Sequence, residues 1–145
     1  MKVQFVASVS VIARDPDAAQ RLYRGALGLS FEGGDGGYLF TERLPGVKHF
    51  GVWPLADAAR SCFGTDTWPG DVVVPQGSIE FEVASAADVS TASEELRAAG
   101  LTLLHDAKEE PWGQTITRLL SDDGLIVGVC FTPWFHKQDG GGDAG

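Results

Sequence analysis

The sequence contains one strand-and-helix unit twice, and this repeat limits the folds that the chain can adopt. Residues 8–15 and 78–85 both alternate apolar residues with small or polar ones, and both end at a residue able to cap a helix. An amphipathic segment follows each copy and ends at Gly28 or Gly100. Internal similarity at a fixed spacing, about 70 residues in this chain, is typical of a fold built from repeated units. We therefore expect two similar modules.

The length of the chain allows one hydrophobic core. With 145 residues, 43% of them hydrophobic, the two copies are expected to be halves of a single domain. This domain is predicted over residues 1–136, with module one at 1–54, a linker at 55–77 and module two at 78–136. The polar, glycine-rich residues 137–145 are predicted to be a disordered tail.

Charge and composition narrow the possible partners. The formal net charge is −9, which argues against nucleic acid because binding to phosphates depends on Lys and Arg. No apolar run approaches the ~20 residues of a membrane span, and the first residues do not resemble a signal peptide. Cys62 and Cys130 lie in apolar segments without the spacing of metal ligands, so they are interpreted as buried thiols. We expect a cytoplasmic protein with neither nucleic acid nor membrane as a partner.

Each module is predicted to have the element order strand, helix, strand, strand, strand. Asp15 and Ser85 are expected to cap the two helices, and Gly28 and Gly100 to end them. A short helix is expected in the linker. Alternating apolar residues predict the strands, at 2–13, 29–32, 37–41 and 47–53 in module one and at 78–84, 101–104, 114–120 and 125–132 in module two. The glycines at 33–37 precede a strand, so they predict a hairpin loop and not a phosphate-binding loop.

This doubled module resembles the vicinal oxygen chelate superfamily, which includes glyoxalases, extradiol dioxygenases and bleomycin-resistance proteins. The local matches are RDPD at 14–17, ALGL at 26–29, PWG at 111–113 and SDDGLIV at 121–127, and the resemblance covers roughly residues 3–134. It implies an α+β fold in which two tandem βαβββ modules form curved mixed sheets around a concave groove. It also implies a homodimer.

Metal-dependent members of this superfamily take ligands from the first and last strands of each module. Aligned with them, three expected ligand positions hold Ser8, Ser78 and Gly128, and the closing strand of module one at 49–53 has no carboxylate. A divalent cation needs several converging oxygen or imidazole ligands. The alignment therefore predicts neither a metal ion nor another cofactor, and it favours the bleomycin-resistance-like branch.

Strand alternation predicts which side chains line the groove. The candidates for ligand binding are Ser8, Ser10, Ser78, Glu80, Glu82, Trp112, Arg118 and Gly128. Glu80 and Glu82 could hold a cationic group or act as a general base, and the alternative is an ion pair with Arg118 or a solvated strand face. Trp112 could stack on a flat ligand or simply cover the core.

The three histidines do not form an evident site. His105 and His136 are expected at the surface, whereas His49 opens a strand and could reach the groove.

The leading hypothesis is a metal-independent protein that binds, and possibly sequesters, a cationic or planar organic compound. The alternatives are a lyase, isomerase or dioxygenase with an atypical metal site or a glutamate base, and a dimeric scaffold without a small ligand.

Overall fold

A computed structural model describes residues 1–33 and 37–136. The predicted tail and most of the predicted glycine loop lie outside these residues. The strands are β1 Phe5–Ala13, β2 Glu32–Gly33, β3 Leu39–Thr41, β4 Phe50–Pro54, β5 Gly77–Glu82, β6 Leu103–Glu109, β7 Thr115–Leu120 and β8 Leu125–Phe131. The helices are α1 Pro16–Gln20, which continues into a π-helical turn at Arg21–Ala26, α2 Leu55–Phe63, α3 Ala86–Ala98 and a 3₁₀ turn at Pro133–Phe135.

The eight strands form one open mixed sheet in the order β2-β3-β4-β1-β5-β8-β7-β6. At its centre β1 pairs antiparallel with β5, and each of these strands pairs in parallel with the last strand of its own module. The outer pairs are antiparallel. The strand order reads the same from either edge when module one is exchanged for module two. This arrangement confirms the predicted α+β fold with two βαβββ modules.

The strand registers confirm the repeat at single-residue resolution. In module one Gly51 lies opposite Ser10 on β1 and Phe40 on β3. In module two Gly128 lies opposite Glu80 on β5 and Arg118 on β7. Ser10 therefore corresponds to Glu80, which reproduces the offset of 70 residues seen in the sequence.

Both glycines are covered by a side chain from the neighbouring strand. Tyr38 covers Gly51, and Ile116 covers Gly128. Each covering residue lies two positions before the residue opposite the glycine, so this packing also follows the repeat. A glycine in a strand often marks such a close approach.

The helix ends are where the sequence predicts them. Asp15 accepts a hydrogen bond from the Ala18 N–H, and Ser85 accepts one from the Asp88 N–H. Gly28 and Gly100 follow the two helices with φ of 72° and 91°, a backbone conformation that favours glycine. These local signals position α1 and α3 against their modules.

The linker places a helix on the face of the sheet opposite α3. Ala58, Ala59 and Cys62 on the apolar side of α2 are buried against Trp53 and Ile126. The Lys108 ammonium donates to the Ser61 carbonyl near the end of this helix, at 2.5 Å. α3 instead packs on Val83 and Val129 through Val89 and Ala92. The linker therefore closes one end of the concave face, where the predicted groove lies.

The packing of Tyr38 on Gly51 can be tested by adding one methyl group. Gly51→Ala is expected to lower the free energy of unfolding by about 1–3 kcal/mol, because the new Cβ would overlap the Tyr38 ring and hydroxyl. Gly70→Ala is the matched control, since a Cβ there meets no atom within 4 Å and Gly70 is not a left-handed glycine. Urea denaturation followed by tryptophan fluorescence measures both variants. Equal stabilities would contradict the close packing.

Candidate functional site

A cavity of about 810 Å³ lies on the concave face of the sheet. Its floor includes Ser8 and Ser10 from β1 and Glu80 from β5, which alternation places on one face. Helix α2 borders the cavity through Asp57 and Ser61. Side chains of both modules line it, so the cavity exists because the two halves form one sheet.

Five of the eight predicted ligand-binding residues line this cavity, namely Ser8, Ser10, Glu80, Trp112 and Arg118. Trp112 is 51% exposed at the rim. Ser78 is buried beneath the surface, and its hydroxyl has no hydrogen-bond partner among the described residues. Glu82 and Gly128 do not line the cavity either.

The Glu80 carboxyl group faces the cavity without a cationic partner among the described residues. Its Oε1 accepts a hydrogen bond from the Gln114 Nε2 at 3.0 Å, and the Gln114 Oε1 accepts one from the Trp112 indole at 3.1 Å. Within residues 1–33 and 37–136, no Lys, Arg or His side chain forms an ion pair with the Glu80 carboxylate. The only other donor to Glu80 among the described residues is the Cys130 thiol, at 4.0 Å. A carboxylate with these two neutral donors in a cavity favours a cationic partner.

Arg118 pairs with a different carboxylate, Glu110. The Arg118 Nη1 lies 2.7 Å from the Glu110 Oε2, and the two side chains are only 1% and 4% exposed. The guanidinium also lies over the Trp53 ring, 5.4 Å from its centroid. The ion pair between Arg118 and Glu80, considered as the alternative to a ligand site, is therefore absent from the described residues.

His105 completes this buried group. Its Nδ1–H donates to the Asp106 carbonyl at 2.7 Å, which leaves the Nε2 as an acceptor for the Arg118 Nη1 at 3.1 Å. Burial is the main cause that lowers the pKa of His105 to about 4, so the ring is neutral at pH 7. The expectation of an exposed His105 is wrong, because β6 continues through this residue and does not turn there.

Glu82 has a structural role. Its side chain is 0% exposed and accepts hydrogen bonds from the Thr132 N–H at 2.5 Å and the His136 Nε2 at 2.8 Å. The bond to His136 joins the end of the described chain to β5, so His136 is half-buried and not at the surface as expected. The Cys130 thiol also donates to Glu82, at 3.3 Å. The Glu82 carboxylate, which the sequence predicts to face the groove, is therefore occupied by hydrogen bonds within the protein.

The two cysteines are buried free thiols, as predicted. Burial raises the pKa of the Cys62 thiol to about 11. Burial, followed by the charges of Glu80 and Glu82, also raises the pKa of the Cys130 thiol well above its usual range. Neither residue provides a thiolate at neutral pH.

Three further residues in the cavity wall form a hydrogen-bonded chain that the sequence did not reveal. The Tyr38 hydroxyl lies 2.5 Å from the His49 Nε2, and the His49 Nδ1 lies 2.6 Å from the Glu42 carboxylate. Burial, followed by the charge of Glu80, raises the pKa of Tyr38, which keeps the phenol neutral. The rings of Tyr38, Phe40 and His49 lie nearly parallel, with centroids 5.2–5.9 Å apart. Of these three residues, the sequence predicts only for His49 that it could reach the groove.

The residues at the aligned ligand positions do not fit a divalent metal. Ser8 and Ser78 provide only hydroxyls, and a Cβ at Gly128 would lie 2.9 Å from the Ile116 Cδ1 and 3.3 Å from the Glu80 Cγ. The space over Gly128 is therefore filled, not open as the sequence suggested. In the part of the chain that the structure describes, no three His, Cys, Asp or Glu residues are grouped to hold a metal.

Removing the counterion of Arg118 should strongly destabilise the folded protein. Glu110→Gln is expected to lower the free energy of unfolding by about 3–5 kcal/mol, because a buried guanidinium loses its carboxylate. Asp57→Asn is the matched control, since its pair with Arg60 is exposed and is expected to contribute less than about 1 kcal/mol. Urea denaturation at pH 7 measures both. A similar loss in the two variants would contradict a special role for the buried pair.

The lowered pKa of His105 predicts a dependence of stability on pH. Between its ordinary value of 6.5 and about 4, the unfolded chain binds a proton that the folded protein does not. The free energy of unfolding should therefore fall as the pH is lowered through this range. His105→Gln is expected to reduce the slope, which urea denaturation at several pH values measures. An unchanged slope would mean that His105 titrates alike in both states.

The same fold occurs in solved structures, although the sequence matches no protein-family model and no curated protein. A glyoxalase/bleomycin resistance protein/dioxygenase superfamily member from Vibrio splendidus 12B01 is 14% identical, with a TM-score of 0.55 over 90% of this chain and 100% of that one. A methylmalonyl-CoA epimerase from Streptomyces coelicolor is 17% identical, with a TM-score of 0.51 over 90% and 96% of the two chains. An NAD-dependent benzaldehyde dehydrogenase from Legionella pneumophila is 10% identical, with a TM-score of 0.58 over 86% and 96%. These likenesses confirm the resemblance seen in the sequence at the level of the fold, which the chain shares with the glyoxalase/bleomycin resistance protein/dioxygenase superfamily member and the epimerase.

Proposed function

We propose that this protein binds a small organic cation in the cavity between its two modules, without a metal ion, and sequesters it. The observation that carries the proposal is the Glu80 carboxylate, which faces the cavity with one amide hydrogen bond and no cationic partner among the described residues. A ligand cation would supply the missing charge. Arg118 is held by Glu110 and Arg60 by Asp57, so neither guanidinium of the cavity lining pairs with Glu80.

The cavity walls favour a flat ligand. Five aromatic side chains contribute to the lining, namely Tyr38, Phe40, Trp53, Trp112 and Trp134. Aromatic faces attract both planar rings and cations. The volume of about 810 Å³ lies within the range of ligand pockets of ~300–1,000 Å³. These features support a planar aromatic cation as the ligand class.

The alternative function is catalysis. Solved structures with this fold include a protein named as an epimerase, so the fold is compatible with an enzyme as well as with a binding protein. The aligned ligand positions argue against a lyase, isomerase or dioxygenase that depends on the usual metal. A metal-free enzyme with Glu80 as general base is still compatible with the geometry. Binding is favoured because Glu80 has an evident electrostatic role without chemistry.

A charged and a neutral ligand of similar shape can test the role of Glu80. At pH 8, 9-aminoacridine is a cation and acridine is neutral. Glu80→Gln is expected to weaken binding of 9-aminoacridine by about tenfold or more, because a charge-assisted contact is lost. Binding of acridine should change by less than about twofold, since it makes no ionic contact. Ligand fluorescence titration measures both affinities.

Glu94→Gln is the control for net charge, because Glu94 is exposed on α3 and outside the cavity lining. It should leave both affinities unchanged. If wild type does not bind 9-aminoacridine, or if Glu80→Gln binds it equally well, the proposed role of Glu80 is wrong.

The wider organisation is also part of the proposal. We propose that residues 1–136 fold as one domain, which the continuous pairing of β1 with β5 supports.

Exposed apolar residues such as Val6, Leu22 and Leu27 support a homodimer, which sedimentation velocity would detect. A cytoplasmic location without nucleic-acid partners is proposed from the net negative charge and the reduced cysteines. No helix in the described part of the chain has the length and hydrophobicity needed to cross a membrane.

A further inference from the structure

Module one carries a polar chain at positions where module two is entirely apolar. By the strand registers, Tyr38, Glu42 and His49 correspond to Ile116, Leu120 and Ile126. The same backbone thus forms in module two without these polar groups, so the fold does not require them. Their side chains line the cavity, where they would meet a ligand.

The hydrogen bonds determine where the protons lie. A carboxylate only accepts, so the contact of 2.6 Å places a proton on the His49 Nδ1, facing Glu42. The Nε2 then carries a lone pair and accepts the hydroxyl proton of Tyr38 over 2.5 Å. The Ser10 hydroxyl donates to one lone pair of the Tyr38 oxygen, and the other lone pair is left to accept a proton from a molecule in the cavity. An acceptor group oriented by a second and a third side chain is the usual geometry of an activated base.

We infer that Tyr38, His49 and Glu42 form a proton relay that makes the cavity a catalytic site for proton abstraction. The substrate class is a flat, conjugated compound with a C–H bond next to an electron-withdrawing group. The C–H bond breaks, and its electron pair stays on the substrate. The proton passes to the Tyr38 oxygen while the tyrosine's own proton passes to the His49 Nε2. The imidazolium that forms is stabilised by Glu42, and reversal of the step returns the proton.

The charges around the relay are consistent with this direction of transfer. Glu42 faces His49 from the connection after β3, and Glu80 faces the same cavity from β5. Three cationic side chains line the same cavity, and each has another partner: Arg60 pairs with Asp57, Lys108 donates to the Ser61 carbonyl, and Arg118 pairs with Glu110. The Lys48 ammonium lies over the Phe5 ring, 4.7 Å from its centroid. The Trp134 indole donates to Glu42 at 3.4 Å and helps to hold it. A positive charge that forms on His49 therefore meets the Glu42 carboxylate directly.

The neutral compound 5-nitrobenzisoxazole tests the relay. Loss of its ring C–H proton breaks the N–O bond and releases a coloured nitrophenolate, so the reaction needs only a base. Tyr38→Phe keeps the ring over Gly51 but removes the acceptor oxygen. It should lower kcat/KM by about 100-fold or more, as should His49→Gln. Glu94→Gln should keep the wild-type rate.

The separate effects on kcat and KM distinguish a relay from a merely structural contact. Glu42→Gln removes the carboxylate that stabilises the imidazolium, so it should lower kcat by about tenfold or more and leave KM within about twofold. A structural role for Glu42 would instead raise KM and lower the free energy of unfolding, because the cavity wall itself would be disturbed.

Two results would overturn the inference. One is a wild-type rate no higher than that of Tyr38→Phe, with urea denaturation used to confirm that the variant is folded. The other is full activity in Tyr38→Phe together with loss in Glu80→Gln, which would make Glu80 the base. The inference goes beyond cation binding, and because the probe is uncharged, failure of the acridine comparison does not decide it.

Discussion

The antiparallel pairing of β1 with β5 is the interaction on which the rest of the structure depends. It joins the two modules within the sheet, and it brings Ser8 opposite Glu80 and Ser10 opposite Ser78. A shift of one residue would turn each of these side chains to the other face of the sheet. The floor of the cavity, the burial of Glu82 and the distance between the two modules' polar groups all follow from this register.

The repeat gives the two modules the same backbone arrangement, but the side chains at corresponding positions differ in chemistry. Phe40 and Arg118 occupy corresponding positions, yet one stacks on aromatic rings and the other forms a buried ion pair. In module two, Arg118 forms an ion pair with Glu110, and this leaves Glu80 without a counterion. The charge that suits a ligand is therefore a consequence of how Arg118 is satisfied.

Local signals in the sequence predicted most of the fold, and non-local contacts account for what was missed. The caps at Asp15 and Ser85 depend on residues three positions away, so they could be read directly. The Glu42–His49 pair depends on the register of β3 with β4, and no short-range pattern reveals it. Arg118 lines the cavity, but its partner comes from the loop after β6, whose path the sequence does not determine.

The cavity contains two acid–base groups, Glu80 and Tyr38, whose surroundings differ. The Glu80 carboxylate accepts a hydrogen bond from an amide donor, whereas burial, followed by the charge of Glu80, raises the pKa of Tyr38 and keeps the phenol neutral. A stable phenolate close to Glu80 would place two negative charges in one enclosed space. Tyr38 can therefore accept a proton only while it releases its own to His49, and the short contacts along Tyr38, His49 and Glu42 provide for this transfer. The negative charge of Glu80 thus favours a relay over a free anionic base in the same cavity.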